Sequence, residues 1–331
     1  MTTGSQHPPV IGVVVIGRNE GERLVRGLRS VHAAPEQTLV YVDSGSRDGS
    51  LQAAHEAGAE VVSLDLSKPF SAGRARNAGV VVALRRAPNL DFIQFMDGDC
   101  ELDDRWLATA AGFLATHPEV AIVCGRRRER FPERSIYNKL CDMEWDTPVG
   151  EARECGGDFL ARVTAFHEVG GFAENLPAGE EPDLCARLRS AGWKTWRLDT
   201  EMTRHDANIL QWTQWWRRSM RCGYAYAANA QLHGTAQDKL KLREMWSAIL
   251  WGGALPALTL VGARYHPQLL CAFIIYPIQA IRIAVGSTHK GKDGLLFGTS
   301  IMFGKFAEFV GIVKFAGVSL FGRDHTLIEY K

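Results

Sequence analysis

The sequence contains no C-x-x-C spacing, and its seven cysteines are odd in number and lie far apart along 331 residues. This distribution is against a disulfide framework and against a structural zinc site, and it favours a reducing compartment. An excess of charge is also missing, because 38 lysines and arginines nearly balance 37 aspartates and glutamates. Since no overall field draws the chain to polyanions, we expect no nucleic-acid partner.

Secretory features and internal repeats are missing as well. Residues 1–9 lack the basic stretch and the apolar run of a signal peptide, which predicts that the domain after them stays in the cytosol. With 46% hydrophobic and 23% charged residues, the composition excludes wholesale disorder, collagen and coiled coil. The length allows one large domain or two ordinary ones.

Short apolar runs alternate with segments of helical period in the first part of the chain. The runs that indicate strands are residues 11–17, 38–43, 60–64, 91–96 and 120–124. The helical segments are residues 20–31, 49–57, 72–86 and 104–115. This alternation predicts an α/β fold with a mostly parallel, doubly wound sheet, in which ligands bind beyond the carboxyl ends of the strands.

Carboxylates stand at three of these strand ends. Asp97 and Asp99 follow the fourth strand and are separated by one glycine, so both can reach a divalent ion. Hard oxygen ligands of this kind predict Mg²⁺ or Mn²⁺, with a plain Asp-Gly turn as the alternative. Glu20 and Asp43 end the other two strands, where a base or a ribose could receive hydrogen bonds. For Asp43, a helix-capping turn is the alternative.

A further group of polar residues lies in the predicted helix start at residues 70–79. Arg74, Arg76 and Asn77 stand there among small side chains. Fixed hydrogen-bond donors suit a diphosphate, and arginine near a helix N-terminus opposes the helix dipole, which favours a bound anion. A solvated first turn is the alternative.

The composition changes from about residue 244. Residues 246–263 are uncharged and just reach the length that spans a bilayer, but their glycines and Pro256 weaken this interpretation. Residues 269–281 are apolar and too short alone, so a span over 246–285 stays open. Residues 294–321 are amphipathic, which suits a membrane interface. We predict a helical, membrane-associating region over residues 240–331.

Five motifs, in this order, resemble those of family 2 glycosyltransferases. They are VVVIGRNEGERL, VYVDSGSRDGS, FSAGRARNAG, FMDGDC, and ECGGDFLARVTAFHEVGGF followed by GEEPDLCARLRSAG. The resemblance covers about residues 10–206. It implies a GT-A fold, which is Rossmann-like, over residues 8–235. It also implies an inverting mechanism, a nucleoside diphospho-sugar donor and a divalent metal, Mg²⁺ or Mn²⁺.

The resemblance also implies roles for individual residues. Asp43 would contact the nucleobase, and Glu20 would line the nucleoside pocket. Asp97 would face the ribose or the sugar, Asp99 would bind the metal with Asp97 beside it, and His205 would complete the metal or diphosphate site. The remaining residues that the resemblance sets beside the sugar donor are Arg74, Arg76, Asn77 and Gly157. For His205, a purely structural role is the alternative.

The predicted base lies in the segment EEPDL. The family usually carries Glu-Asp-x-Asp-Leu there, and the acid at the second position acts as base, which is Glu181 in this chain. Such a base removes the proton of an acceptor hydroxyl, and a neighbouring carboxylate can raise its pKa towards that task. Because glutamate is one carbon longer than aspartate, the choice among Glu180, Glu181 and Asp183 stays open. An acidic first turn of a helix is the alternative.

Two basic segments complete the candidate residues. The segment QWWRR at residues 214–218 resembles the Q-x-x-R-W element of processive polysaccharide synthases, but Arg218 stands at the tryptophan position, which predicts non-processive transfer. Arg217 and Arg218 have the charge that would stabilise a leaving diphosphate, with an amphipathic helix on a membrane as the alternative. The charge run at residues 126–130 follows the fifth predicted strand, either as a solvated face or as a site for a lipid-linked phosphate.

We therefore predict transfer of one sugar to a hydroxyl of a glycan or a lipid-linked saccharide, in polysaccharide or glycoconjugate synthesis. The expected location is the cytoplasmic face of the cell membrane. One alternative is a nucleotidyltransferase that forms a sugar nucleotide, which the acid-rich residues 180–183 disfavour. Another is a catalytically silent membrane scaffold of the same fold, which intact Asp97, Asp99 and Glu181 disfavour.

Overall fold

The computed structural model describes residues 8–31, 38–233 and 239–321. Three parts of the predicted ranges lie outside the described residues. They are residues 1–7 of the N-terminus that is predicted to lack a leader, residues 234–235 at the end of the predicted catalytic range, and residues 322–331 at the end of the C-terminal range. The chain divides into two compact units. The first comprises Met1–Phe131 and Trp145–Ala207, and the second comprises Pro132–Glu144 and Asn208–Lys331.

A nine-stranded sheet forms the centre of the first unit. The strands are β1 (Ile11–Gly17), β2 (Thr38–Asp43), β3 (Glu60–Ser63), β4 (Phe92–Asp97), β5 (Cys100–Leu102), β6 (Val120–Glu129), β7 (Gly150–Ala152), β8 (Phe159–Arg162) and β9 (Lys194–His205). Their order in the sheet is β3-β2-β1-β4-β8-β6-β9-β5, and β7 pairs with β9. All five predicted strands are present.

The sheet is mixed, which corrects the expectation of a mostly parallel one. β1 pairs in parallel with β2 and β4, β2 with β3, and β6 with β9. β8 runs antiparallel between β4 and β6, while β5 and β7 run antiparallel to β9. The antiparallel strands β5, β7 and β8 have only three, three and four residues, so they are too short to give a clear strand pattern in the sequence. The α/β class itself is confirmed.

Helices lie between the strands of the first unit at the predicted places. The helices of the chain are α1 (Glu22–Ser30), α2 (Ser50–Glu56), α3 (Ala72–Arg86), α4 (Trp106–Thr116), α5 (Ile136–Glu144), α6 (Val163–Glu168), α7 (Glu180–Ser190), α8 (Trp212–His233), α9 (Leu242–Ala248), α10 (Leu255–Ala263), α11 (Ile275–Gly286) and α12 (Gly291–Leu320). α5 and α8 to α12 belong to the second unit.

α3 shows how the sequence sets a helix against the sheet. The hydroxyl of Ser71 accepts a hydrogen bond from the Arg74 N–H and so caps the helix start. At Gly79, an added Cβ would collide with Val14 of β1 and lie 3.0 Å from Val42 of β2. The missing side chain lets α3 lie close to these fully buried strands. The residues at the start of α3 are thereby held near the carboxyl ends of β1 and β2.

Within its described residues, the second unit contains three helices that are long and apolar enough to cross a membrane. They are Leu242–Ala263, Pro267–Gly286 and Gly291–Leu320. The first joins α9 and α10 through one stretch of π-helix, and the second joins a 3₁₀ segment to α11. The apolar segments that the sequence shows at residues 246–263 and 269–281 each lie within one of these longer helices.

Glycines bring α8 and α12 close together within the second unit. A Cβ added at Gly223 would collide with the backbone of Glu308, and one at Gly311 would collide with the Met220 carbonyl oxygen. Small residues of this kind allow close backbone packing in membrane helices. Because α8 packs against α12, the compact units divide at residue 207, whereas the predicted catalytic range extends to 235. The functional division at 235–240 stays a prediction.

Candidate functional site

Asp99 and His205 lie side by side although they are far apart in the sequence. β5 pairs with β9 so that Cys100 is opposite His205, which brings the residue before Cys100 to the same place. His205 Nε2 lies 3.2 Å from Asp99 Oδ2, and both residues are buried. Burial, together with the nearby cation of Arg127, lowers the pKa of His205 to about 4. The imidazole is therefore neutral near pH 7 and keeps a lone pair for a metal ion.

The other ring nitrogen of His205 faces a buried carboxylate. His205 Nδ1 lies 4.0 Å from Glu129 Oε2, and no hydrogen bond is made by this buried nitrogen within the described residues. Metal-binding histidines commonly direct their second nitrogen to a carboxylate. The donor set of one carboxylate and one neutral imidazole fits a divalent ion, and Asp97, two residues before Asp99, is the further acid that the sequence predicts beside it.

Arg76 links Asp97 to the start of α7. Its guanidinium donates to Asp97 Oδ1 at 2.8 Å and to Glu180 Oε1 at 2.7 Å, and it lies 5.4 Å from the centre of the Phe172 ring. Burial opposes the charge of Arg76, but the carboxylates of Asp97 and Glu180 outweigh it and raise its pKa. The arginine is 2% exposed. It therefore acts as a buried tie between two of the predicted motifs.

Asp158 forms a second tie beneath the same loop. It is fully buried, accepts hydrogen bonds from the Asp97 N–H and the Thr203 hydroxyl, and pairs with Arg127 at 2.8 Å. Arg127 in turn lies over the Trp145 ring at 5.5 Å. Asp158 thus fixes the backbone of the Asp97 loop to β9 and β6.

Gly157 lies where no side chain fits. A Cβ at this position would be 2.7 Å from Asp97 Oδ2 and 3.0 Å from a nitrogen of Arg76. Both neighbours are held by the ion pair described above, so neither can move away easily. The structure therefore places the predicted residue Gly157 against the Asp97 carboxylate.

Glu181 is buried beside the sulfur atoms of two cysteines. Its Oε1 accepts a hydrogen bond from the Cys155 N–H at 2.6 Å and lies 3.1 Å from the Sγ atoms of both Cys155 and Cys185. Burial raises the pKa of Glu181, and the charge of Glu154 adds to this, while the hydrogen bond from Cys155 opposes it. Among the neighbouring charges, Glu154 contributes most to the raised pKa of Glu181. A raised pKa is what a general base requires.

The two other acids of the segment are held by arginines. Glu180 pairs with Arg76, as described above. Asp183 accepts two hydrogen bonds from Arg187, at 2.9 and 2.6 Å, and Arg187 also donates to the Val169 carbonyl oxygen. Among the three candidates, Glu181 is the one whose carboxylate is not engaged by an arginine in the described ion pairs.

Asp43 shapes the turn that follows β2. Its Oδ2 accepts hydrogen bonds from the N–H groups of Gly45 and Ser46, both at 2.9 Å. Its Oδ1 accepts one from the Tyr41 hydroxyl at 3.2 Å. The turn-forming alternative from the sequence is therefore present in the structure, and the nucleobase role of Asp43 stays a prediction.

Glu20 lies between the ends of β1 and β4. A Cβ added at Gly17 or Gly98 would approach its Cγ to 3.1 Å, so its side chain borders the Asp97 loop. Glu20 also pairs with Arg23 at 2.8 Å. Its place beside the loop is compatible with the predicted nucleoside pocket, which stays a prediction.

Arg74 and Asn77 bind neighbouring loops. Arg74 donates to the Asp65 carbonyl oxygen at 2.9 Å. The amide of Asn77 donates to the Phe172 carbonyl oxygen at 2.9 Å and accepts from the Phe172 N–H at 3.0 Å. These contacts order the loops around α3, and roles towards a sugar donor stay predictions for both residues.

Arg217 and Arg218 belong to the second unit, in α8. Arg217 is exposed, and Arg218 pairs with Glu144 at 2.7 Å. Gln214 accepts hydrogen bonds from the Leu210 and Gln211 N–H groups, which fixes the start of the helix. The predicted role of both arginines in stabilising a diphosphate stays a prediction.

The charge run at residues 126–130 lies differently from the prediction. β6 extends to Glu129, so Arg126, Arg127 and Arg128 are strand residues and do not follow the strand. Arg126 pairs with Asp146 and Arg128 with Glu201, both at 3.4 Å. Partly buried ion pairs replace the expected solvated face. The second half of β6 was not predicted, because the apolar run in the sequence stops before these polar residues.

Several residues of the site were missed by the sequence analysis. Asp158 was noticed only within a motif and Arg127 only within the charge run at residues 126–130, and their ion pair is seen only in the structure. Cys155 and Cys185 were counted as scattered cysteines. For Cys185, the spacing of four residues from Glu181 on a helix was an available signal, because such residues share one helix face.

Comparisons with known sequences agree with these motifs. Residues 12–166 match the model of glycosyl transferase family 2. A pre-mycofactocin glycosyltransferase from Mycobacterium tuberculosis is 27% identical over 297 residues, which covers 85% of this chain and 58% of that protein. An O-antigen chain rhamnosyltransferase from Salmonella typhimurium is 27% identical over 187 residues, which covers 51% of this chain and 57% of that protein. The chain thus spans less than two thirds of the length of these relatives.

Solved structures share the fold. A mannosyltransferase from Pyrobaculum calidifontis, in complex with GDP-Man and Mn²⁺, matches with a TM-score of 0.64 at 19% identity and covers 93% of this chain and 88% of that chain. TarS 1–349 from S. aureus in complex with UDP matches with a TM-score of 0.51 at 15% identity, covering 95% and 92%. Residues 12–166 match the glycosyl transferase family 2 model, and the chain shares the GT-A fold of these solved structures.

Proposed function

We propose that this chain is a glycosyltransferase that moves one sugar, with inversion, from a nucleoside diphospho-sugar to a hydroxyl of a glycan or lipid-linked saccharide at a membrane. The observation that carries the proposal is the buried Arg76 tie. It holds the Asp97 loop and the start of α7 together, so that the predicted sugar-donor loop and the predicted base belong to one rigid arrangement. Fixed geometry of this kind is what accelerates a displacement between two bound reactants.

Glu181 is proposed as the base. It is buried, its pKa is raised, and its Oε1 is fixed by the Cys155 N–H. The carboxylate would take the proton of the acceptor hydroxyl as that oxygen attacks the anomeric carbon. Direct attack from the face opposite the leaving group accounts for inversion. Glu180 and Asp183 are proposed as positioning residues, since both are held by arginines.

Asp99 and His205 would hold a divalent ion, with Asp97 beside them. Bound Mg²⁺ or Mn²⁺ would supply positive charge for the diphosphate that leaves. The pairing of β5 with β9 presents these two side chains together, and Glu129 would orient the imidazole from its other side. The mannosyltransferase with a matching fold binds GDP-Man and Mn²⁺, which supports a nucleotide-sugar donor and a divalent ion here as well.

A membrane location is proposed from the second unit. Its three apolar helices expose large hydrophobic side chains, among them Leu258 at 71% and Val285 at 73%. Soluble proteins rarely expose contiguous apolar surfaces on this scale. We propose the cytoplasmic face of the membrane as the location of the reaction. Non-processive transfer is proposed because Arg218 stands where the processive element has tryptophan.

The experiment is hydrolysis of a panel of nucleoside diphospho-sugars by the full chain in detergent micelles, read as release of nucleoside diphosphate. We expect release from one donor that requires Mn²⁺ or Mg²⁺ and that falls at least ~100-fold in Asp99→Asn. Asp104→Asn is the matched control, because Asp104 is exposed on the same segment. Release of pyrophosphate from a nucleoside triphosphate would contradict the proposal and favour a nucleotidyltransferase. Tight binding of a sugar donor without turnover would favour a silent scaffold.

A further inference from the structure

A cluster of two thiols and one carboxylate surrounds the proposed base. The Sγ atoms of Cys155 and Cys185 are 3.9 Å apart, and each lies 3.1 Å from Glu181 Oε1. All three ligand atoms lie within 4.8 Å of one another. This group is separate from the Asp99 and His205 pair and differs from it in chemistry, since sulfur dominates.

The backbone presents these three groups as a built site. Glu181 and Cys185 are one helical turn apart on α7, so both side chains leave the same helix face. Cys155 comes from the loop between β7 and β8 and closes the group from the opposite side. Cys185 is fully buried and Glu181 is 6% exposed, whereas Cys155 is half-buried and gives the cluster its access to solvent.

The distances match those of a tetrahedral zinc ion. Two thiolates that each lie ~2.3 Å from zinc at a tetrahedral angle are about 3.8 Å apart. The observed separation of the two Sγ atoms is 3.9 Å. The carboxylate oxygen would have to move away from each sulfur by only about 0.5 Å to reach the spacing of a Cys₂Glu site. Water would fill the fourth position, as it does in zinc sites with three protein ligands.

We propose that Cys155, Cys185 and Glu181 form a binding site for a soft divalent ion, for which Zn²⁺ is the probe, and that its occupation blocks sugar transfer. Binding would form two metal–sulfur bonds and one metal–oxygen bond, while both thiols release their protons to solvent. Thiolate ligands select zinc over Mg²⁺ and Mn²⁺, which prefer oxygen. The blocking effect rests on the proposed function, because a carboxylate bound to zinc cannot accept the proton of an acceptor hydroxyl.

The binding test uses the full chain in detergent with a non-thiol reductant, so that both cysteines stay reduced. Zinc is titrated against a chromophoric indicator, and Co²⁺ is used as a spectroscopic substitute. We expect sulfur-to-cobalt charge-transfer absorption, which the Asp99 and His205 pair cannot give, and a loss of affinity of at least ~10-fold for the ion that gives it in Cys155→Ser/Cys185→Ser. Cys271→Ser is the matched control and should bind as the wild type does, since Cys271 is exposed and lies in the second unit.

A second readout does not depend on how the double variant folds. In the wild-type protein, Zn²⁺ should protect Cys155 and Cys185 from alkylation, as counted by peptide mass spectrometry, and should leave the labelling of Cys271 unchanged. Unchanged zinc affinity in the double variant, or alkylation of Cys155 that zinc does not slow, would overturn the site.

Turnover separates this inference from the proposed function. With Mn²⁺ present, bound Zn²⁺ should inhibit release of nucleoside diphosphate, and a zinc chelator should restore it. If zinc binds at the two cysteines but an active enzyme is not inhibited, the blocking role is overturned while sugar transfer stands. If no turnover is found even without zinc, the proposed function fails, and the binding and alkylation results still decide the site.

Discussion

Replacement of Arg76 by methionine removes the guanidinium that Asp97 and Glu180 share. Removing one partner of a buried ion pair costs about 3–5 kcal/mol of folding free energy. The Glu180 side chain is only 10% exposed and stays poorly hydrated after the change, whereas that of Asp97 is 30% exposed and regains some water. We therefore expect a loss near the lower end of this range, about 3 kcal/mol.

Arg86→Met is the matched control, because it removes the same group from the same helix. Arg86 pairs with Glu60, and the two side chains are 63% and 40% exposed. An exposed pair of this kind contributes only about 0–1 kcal/mol. Addition of Glu180→Gln to Arg76→Met should recover about 1–3 kcal/mol, since one buried charge without a partner is then removed.

Unfolding of the first unit can be followed in the full chain by alkylation of Cys100 and Cys124, which are both buried there. For a unit of this size, a loss of about 3 kcal/mol lowers the midpoint of thermal unfolding by roughly 6–12 °C. Equal midpoints for Arg76→Met and Arg86→Met would refute the inference that Arg76 is a buried tie.

Three further predictions follow from burial and close contacts. Because burial and Glu154 raise the pKa of Glu181, kcat/KM should fall with decreasing pH through an apparent pKa above the ordinary value of 4.5. Gly157→Ala sets a methyl group 2.7 Å from Asp97 Oδ2 and should lower kcat/KM by roughly 10–100-fold without unfolding the chain. Gly223→Ala presses a methyl group against the Glu308 backbone and should destabilise the second unit by about 1–3 kcal/mol in thermal unfolding.

Each of these predictions has a control in the same chain. Glu154→Gln removes the charge beside Glu181 and should shift the acidic limb to lower pH, so an unmoved limb would assign it to another group. Gly112→Ala and Gly317→Ala add a methyl group where nothing lies within 4 Å, and both should be near neutral. If these two variants cost as much as Gly157→Ala and Gly223→Ala, close contact is not the cause.

The parallel strands β1 to β4 could be predicted because each contains an apolar run, whereas the parallel strand β9 could not, because polar residues interrupt it. β1 and β2 are buried along most of their length, so most of their side chains are apolar. The strands β5, β7 and β8 could not be found this way, since each has only three or four residues. Without these three strands, the order of the strands in the sheet could not be predicted.

The candidate site was predictable at strand ends and less so elsewhere. Asp97 and Asp99 follow a clear strand, so their place at the sheet edge came from local pattern. The approach of His205 to Asp99 depends on the pairing of β5 with β9. The family resemblance suggested that His205 belongs to the metal site, but the spacing of the residues could not show it. The sequence predicts an anion beside Arg76. In the structure, its partners are two carboxylates of the protein. Because both acids come from distant parts of the chain, the sequence alone did not indicate these pairs.

The lengths of the apolar helices in the second unit were underestimated from the sequence. Single apolar runs at residues 246–263 and 269–281 seemed marginal or short, yet the helices that contain them extend over Leu242–Ala263 and Pro267–Gly286. Polar and charged residues at the helix ends do not interrupt a helix, although they end an apolar run. The length of each helix therefore follows from its continuous helical backbone, and the composition alone did not show where that backbone begins and ends.

The central claim is that Glu181 is the base of sugar transfer, and its most direct test is the kinetics of Glu181→Gln with the hydrolysed donor. Glutamine keeps the size of the side chain and accepts the Cys155 hydrogen bond but cannot take a proton at neutral pH. We predict that kcat falls by about 10²–10⁴-fold while the dissociation constant of the donor stays within a few-fold. A kcat that is nearly unchanged, with donor binding intact, would contradict the account.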